Sequence, residues 1–210
     1  MFPQTIKFTF NLFVVDKKYA IFTEKMRLFL ALKIEASQEY ISIIDDLKHL
    51  LRRDSISWAD SNIAHLTLKF FGNTPDYKFE KIDKQLEEVC QNIKPIQFSI
   101  TKIGAFGSSY KPQILWFGIN QEEKLKEIHN EIMKALKPIG YLPDAGNFVP
   151  HITFARIHKT SDKTWFWKCV EKYQTNHIQD VYAENIHLFE SKLSPEKAVH
   201  DIVKSYSFSG

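Results

Sequence analysis

His65-Leu66-Thr67-Leu68 and, further along, His151-Ile152-Thr153-Phe154 are two copies of one phrase around which the rest of the chain is arranged. Both copies lie in apolar runs of strand length, Ile63 to Phe71 and Phe148 to Ile157. Side chains alternate across a strand with a period of two, so each histidine shares a face with the threonine two residues on. Leu66, Leu68, Ile152 and Phe154 then point the other way, into a core. Each strand displays one imidazole beside one hydroxyl, and two such strands facing one cleft would bring two of each to a single point.

That set of groups suits one kind of chemistry. The ordinary histidine pKa of about 6.5 lets one imidazole be neutral while another is protonated near neutral pH. A base on one side of a phosphodiester would activate water, and an acid on the other would protonate the leaving oxygen. Neighbouring hydroxyls and cations would hold the non-bridging oxygens as charge builds up. A lone His-x-Thr arises by chance in many chains; its repetition within matching apolar patterns is the signal.

The chain has 210 residues, 44% hydrophobic and 25% charged, which excludes a disordered polar chain and leaves ample material for a core. A formal net charge of only +3 fits one anionic ligand and not extensive wrapping by nucleic acid. Cys90 and Cys169 fall in helix-like segments without metal-ligand spacing, and are expected as buried thiols in a reducing, cytoplasmic setting. No His-Glu-x-x-His zinc pattern occurs, and no metal or other cofactor is expected. The apolar run Phe8 to Val15 is too short to span a bilayer and lacks a small-residue cleavage site before Asp16-Lys17-Lys18. Residues 1–25 are therefore expected as an N-terminal extension without a catalytic part, and residues 26–210 as one domain of two lobes.

Helical spacing of apolar residues predicts helices over about 37–53, 77–93, 121–137 and 161–173. Strands are expected at 27–33, at the two motif runs, at Gln97 to Phe106 and at Gln113 to Ile119. Two more are expected at Val181 to Phe189 and Val199 to Phe208, joined by a turn at Ser194-Pro195-Glu196-Lys197. Ser55-Ile56-Ser57-Trp58 reads as a turn into the first motif strand. The order of elements is roughly duplicated, each half bringing helices and one motif strand, and this predicts a two-lobed, pseudo-symmetric α+β fold.

With these residues in hand, the chain resembles the two-histidine (2H) phosphoesterase superfamily, and within it the bacterial RNA 2′,3′-cyclic phosphodiesterases, historically called 2′-5′ RNA ligases. The likeness runs from Met26 to Phe208. It rests on Met26-Arg27-Leu28-Phe29, on Trp58, and on Asn62 through Gly72 around the first motif. Leu115-Trp116-Phe117-Gly118, Gly140-Tyr141, Phe148 through Arg156, and Ser191-Lys192-Leu193-Ser194-Pro195 carry it further. The resemblance implies two antiparallel sheets flanking a central cleft, with helices on the outside. It implies that His65 gives a proton to the leaving oxygen and that His151 takes one from water. A terminal 2′,3′-cyclic phosphate on RNA would open to a 2′-phosphate, and the same site could form a 2′-5′ linkage. Thr67 and Thr153 would bind phosphate oxygens.

Arg156 corresponds to a phosphate-contacting basic position of that family, with a plain solvent or salt-bridge role as the open alternative. Simple alternation puts it on the face opposite His151, so the role requires a bulge or a strand end. Lys69 shares the face of His65 by the same parity and is expected as a solvated surface lysine; Phe70 falls on the core side. Relatives often carry arginine where this chain has Gln113. His49, His129, His177, His187 and His200 fit no repeated pattern and are expected in surface or partly buried roles; for His158, which follows the second motif strand, an approach to the substrate is the minor alternative to such a role. The leading expectation is a monomeric, metal-independent phosphodiesterase acting on RNA ends, with no membrane contact. Two alternatives stay open: a non-catalytic RNA-end or nucleotide binder using Trp116, Phe70 or Tyr110 for stacking, and a phosphodiesterase for a small cyclic nucleotide.

Overall fold

Apolar alternation along the first strand sets the layers. Leu28, Leu30 and Leu32 are sealed in the main core, while Phe29 and Ala31 face the other way and join Phe189 in a second, small cluster. The computed structural model describes residues 25–144, 146–174, 177–193 and 198–210. The expected extension at 1–25 lies outside the described residues except for Lys25, as does the turn at 194–197.

In chain order the elements are β1 (Lys25–Lys33), α1 (Gln38–Leu50), β2 (Ser55–Trp58), β3 (His65–Pro75), α2 (Asp76–Cys90), β4 (Ile96–Gly107), β5 (Pro112–Ile119), α3 (Glu122–Leu136), β6 (His151–Lys159), α4 (Lys163–Glu171), β7 (Gln179–Ala183), β8 (Asn185–Leu193) and β9 (Ala198–Ser207). They build two antiparallel sheets, ordered β3-β1-β8-β9 and β2-β6-β5-β4-β7. One buried core draws on the inner faces of both sheets and on the apolar stripes of all four helices. The α+β class and the two sheets are as the sequence predicts.

Helix starts follow local chemistry. Ser37 caps α1 through its Oγ, which accepts from Tyr40 N at 3.1 Å, and Asp162 caps α4 by accepting from Trp165 N at 3.0 Å. Three expectations need correcting. Ser55–Trp58 is a strand and not a turn, because it finds a partner in the distant β6. Val181 to Phe189 is not one strand. The chain breaks at Glu184, whose carbonyl accepts from Phe208 N at 2.7 Å, and β7 and β8 enter different sheets. The lobes are also not chain halves: β8 and β9 return to pair with β1, while β2 crosses to the sheet of the second motif.

The feature that decides the site is a matched pair of β-bulges. On β3, Thr67 pairs with Ala31 and Lys69 with Leu30, leaving Leu68 as an extra residue. On β6, Thr153 pairs with Trp116 and Ala155 with Leu115, leaving Phe154 extra at the same distance from its histidine. One added residue reverses the in-out alternation beyond it. Lys69 and Ala155 consequently turn inward, and Phe70 and Arg156 turn onto the faces that carry His65 and His151. Lys69 is 4% exposed and Phe70 61%, the opposite of what unbroken alternation predicts for both. Arg156 receives the bulge its assigned role requires.

Candidate active site

The two sheets meet along β3 and β6, where the motif histidines stand. Each imidazole is half-buried. Each also bonds the carbonyl two residues before it through Nδ1: His65 to Ile63 O and His151 to Val149 O, both at 2.7 Å. A carbonyl can only accept, so Nδ1 carries the proton in each ring and Nε2 is left as the working nitrogen. Burial pushes both imidazoles below the ordinary histidine pKa. The backbone carbonyl opposes this in each, and the charge on His151 lowers His65 further.

Aromatic walls hold the rings. His65 has Phe29 at 5.0 Å between ring centroids, and His151 has Phe106 at 4.8 Å, edge-on, with Trp116 at 6.4 Å. Trp116 lies across Gly104, where a Cβ would collide with the indole ring, so the glycine is what lets that wall form. Its indole N–H is buried without a hydrogen-bond partner among the described residues. Trp116 is thus a wall of the site. Tyr110 is in the β4–β5 hairpin loop with Lys163 Nζ 4.9 Å from its ring centre.

Thr67 and Thr153 fall beside their histidines, both half-buried, and neither hydroxyl has a hydrogen bond among the described residues. Arg156 is exposed, pairs across the sheet with Ser57 and Ile114, and likewise has no ion-pair partner among them. Two hydroxyls, one guanidinium and two Nε2 atoms are therefore free to meet an anionic ligand. His158 is exposed further along β6, where its Nε2 is 2.8 Å from Ser57 Oγ. Gln113 is exposed at the start of β5.

Two devices that the sequence does not announce bring the second motif to the first. Buried Lys69 donates from Nζ to Leu142 O at 3.0 Å and pairs with Asp144 Oδ1 at 2.5 Å, so the first motif strand grips the loop leading to His151. Phe148 in that loop stacks on His129 of α3, with centroids 4.1 Å apart and planes 5° from parallel. His129 is therefore buried, a structural support of the approach to β6. The other residue that sequence reasoning passed over is His200 of β9, whose ring meets His65 edge-on at 5.1 Å. Among the described residues, no group of three or more His, Cys, Asp or Glu side chains is placed to hold a metal ion. No helix among them is long and apolar enough to cross a membrane. Cys90 and Cys169 are both buried and free, and burial pushes the Cys90 thiol up to about 12.

Two antiparallel sheets that each present a His-x-Thr strand to the other define a two-histidine phosphoesterase. The chain belongs to the 2′-5′ RNA ligase superfamily, whose sequence profile matches residues 33–192. It is 27% identical over 176 residues to the RNA 2′,3′-cyclic phosphodiesterase of Archaeoglobus fulgidus, covering 83% of this chain and 96% of that one. To the enzyme of the same name from Methanocaldococcus jannaschii it is 28% identical over 182 residues, covering 86% of this chain and all of the other. The fold matches a crystal structure of Escherichia coli LigT complexed with 3′-AMP at a TM-score of 0.71 and 18% identity, over 89% of this chain and 100% of that one. A Thermus thermophilus structure matches at 0.72 and 18%, over 88% and 99%. The chain is an enzyme, a phosphodiesterase by family.

Proposed function

We propose that this enzyme opens the 2′,3′-cyclic phosphate at an RNA end to a 2′-phosphate, with His65 as proton donor, His151 as proton acceptor and no metal ion. The observation that carries the reading is the mirrored pair of imidazoles, each with Nδ1 tied to a carbonyl and Nε2 free. His151 Nε2 takes a proton from water as the water oxygen bonds to phosphorus. The bond from phosphorus to the 3′ oxygen breaks, and His65, entering as the imidazolium with its Nδ1–H still on Ile63 O, gives its Nε2 proton to that oxygen. Thr67, Thr153 and Arg156 bind the non-bridging oxygens. Phe70, beside Phe29 at 5.8 Å between ring centroids, offers a stacking face to the terminal base. A 5′-hydroxyl in the place of water would give a 2′-5′ linkage by the same proton transfers.

The test is an oligonucleotide ending in a 2′,3′-cyclic phosphate, incubated with enzyme in the presence of chelator. The expected product is the 2′-phosphate, formed at the same rate with and without chelator. Full activity in either His65→Ala or His151→Ala, or loss of activity on chelation, would overturn the reading.

A further inference from the structure

The donor side of the site holds a third histidine that the family motifs do not include. His200 is on β9, the edge strand of its sheet, two strands away from β1. Its ring nevertheless lies 4.9 Å from Phe29 and 5.1 Å from His65, edge-on to both. A third bulge puts it there. Leu188 pairs with Lys204 and Phe189 with Ile202, so Val203 is an extra residue in β9. Lys204 and Tyr206 face α2, where both bond the carboxylate of Asp83 at 2.8 Å. The added residue reverses the parity, so Ile202 and His200 turn to the opposite face, the one bearing Phe29, Phe189 and His65. This is the device that turns Phe70 and Arg156 onto the cleft.

Resting on the function proposed above, we infer that His200 is a positioning residue for His65. Its ring and Phe29 form a wall that shields the His65 imidazole from water and fixes its orientation, so β9 completes the donor half of the site. His200 Nδ1 is buried with no hydrogen-bond partner among the described residues, so this wall accommodates a neutral ring and penalises a charged one. Burial and the neighbouring His65 hold the His200 pKa down to about 4, against a weak opposing pull from Asp201. Arg27 of β1, two residues before Phe29, shares its face by alternation. Asp201 of β9 is engaged by Lys192 of β8 at 2.8 Å, and Lys192 also reaches Glu190 at 3.4 Å. His187 of β8 bonds Ser205 Oγ at 2.8 Å and is held low by burial and by Lys33 of β1. Across the cleft stands His151.

The test is an NMR titration of the His65 ring in the full chain, together with steady-state kinetics on a cyclic-phosphate oligonucleotide. His200→Ala removes the wall: the His65 midpoint should rise toward about 6.5, and kcat should fall roughly 10-fold with KM nearly unchanged. His200→Phe keeps a ring of similar size and should restore both values. A residue that served only stability would lower the melting temperature and leave the His65 midpoint in place. The inference is overturned by an unmoved midpoint in His200→Ala, or by a His200→Phe enzyme as impaired as the alanine variant. The titration reads His65 whether or not the enzyme turns over, so a wild-type protein that fails to open the cyclic phosphate sinks the functional reading separately.

Discussion

At His65 and His151 one backbone carbonyl each decides which nitrogen can work. Replacing either with alanine should cost on the order of 10² to 10⁴ in kcat, the usual contribution of a positioned acid or base, measured on a cyclic-phosphate oligonucleotide. Burial lowers both pKa values, so the proposed mechanism would be poised on the acid side of neutrality. The kcat/KM profile should be a bell with its maximum below about pH 6.5, its limbs belonging to the coupled pair and to neither ring alone. A plateau extending above neutral pH would contradict that. Phe70 and Arg156 should separate by readout. Phe70→Ala should weaken binding of nucleotide substrates by about 1–3 kcal/mol, and Arg156→Gln should slow turnover of every cyclic phosphate whatever base it carries.

At the scale of the element, the bulges at Leu68 and Phe154 matter more than the strands that hold them. Phe154 is buried between Phe117, 4.3 Å away, and Trp58, at 6.3 Å. Phe154→Ala should therefore destabilise the fold by about 3–5 kcal/mol, read in a denaturant titration. Deleting Phe154 would instead restore the alternation and turn Arg156 away from His151, so the phosphate contact proposed for Arg156 should fail even in whatever fraction folds. Alternation read from the sequence placed everything up to the third residue past each histidine on its correct face, because that stretch is regular. It failed at Lys69 and Phe70, where an inserted residue changes parity without changing composition. In β6 the adjacent apolar pair Phe154-Ala155 is a visible trace of the bulge. In β3 the matching inward position is Lys69, and its charge hides the signal. The β2 strand and the break at Glu184 were not legible, since each depends on a partner far away in sequence. The contact between His200 and His65 was hidden for the same reason.

For the whole molecule, the five histidines at positions 65, 129, 151, 187 and 200 all bind their proton more weakly folded than free. The unfolded chain takes up more protons as the solution is acidified, so this share of stability is complete above about pH 6.5. It is lost as pH falls through the folded values, the lowest being about 4 for His200. Melting temperature should be level above neutrality and decline from there down to about pH 4; a level curve across that interval would refute the linkage. The near-mirror relation of β3 and β6 carries a different consequence. A ligand meeting two equivalent His-x-Thr strands has two almost equal ways to lie, with donor and acceptor exchanged. At the turned-out position, five residues past each histidine, the strands differ: one offers a flat hydrocarbon ring, the other a fixed positive charge. Under the function proposed above, that inequality, added to the different walls around the two imidazoles, favours one way round for an entering nucleotide.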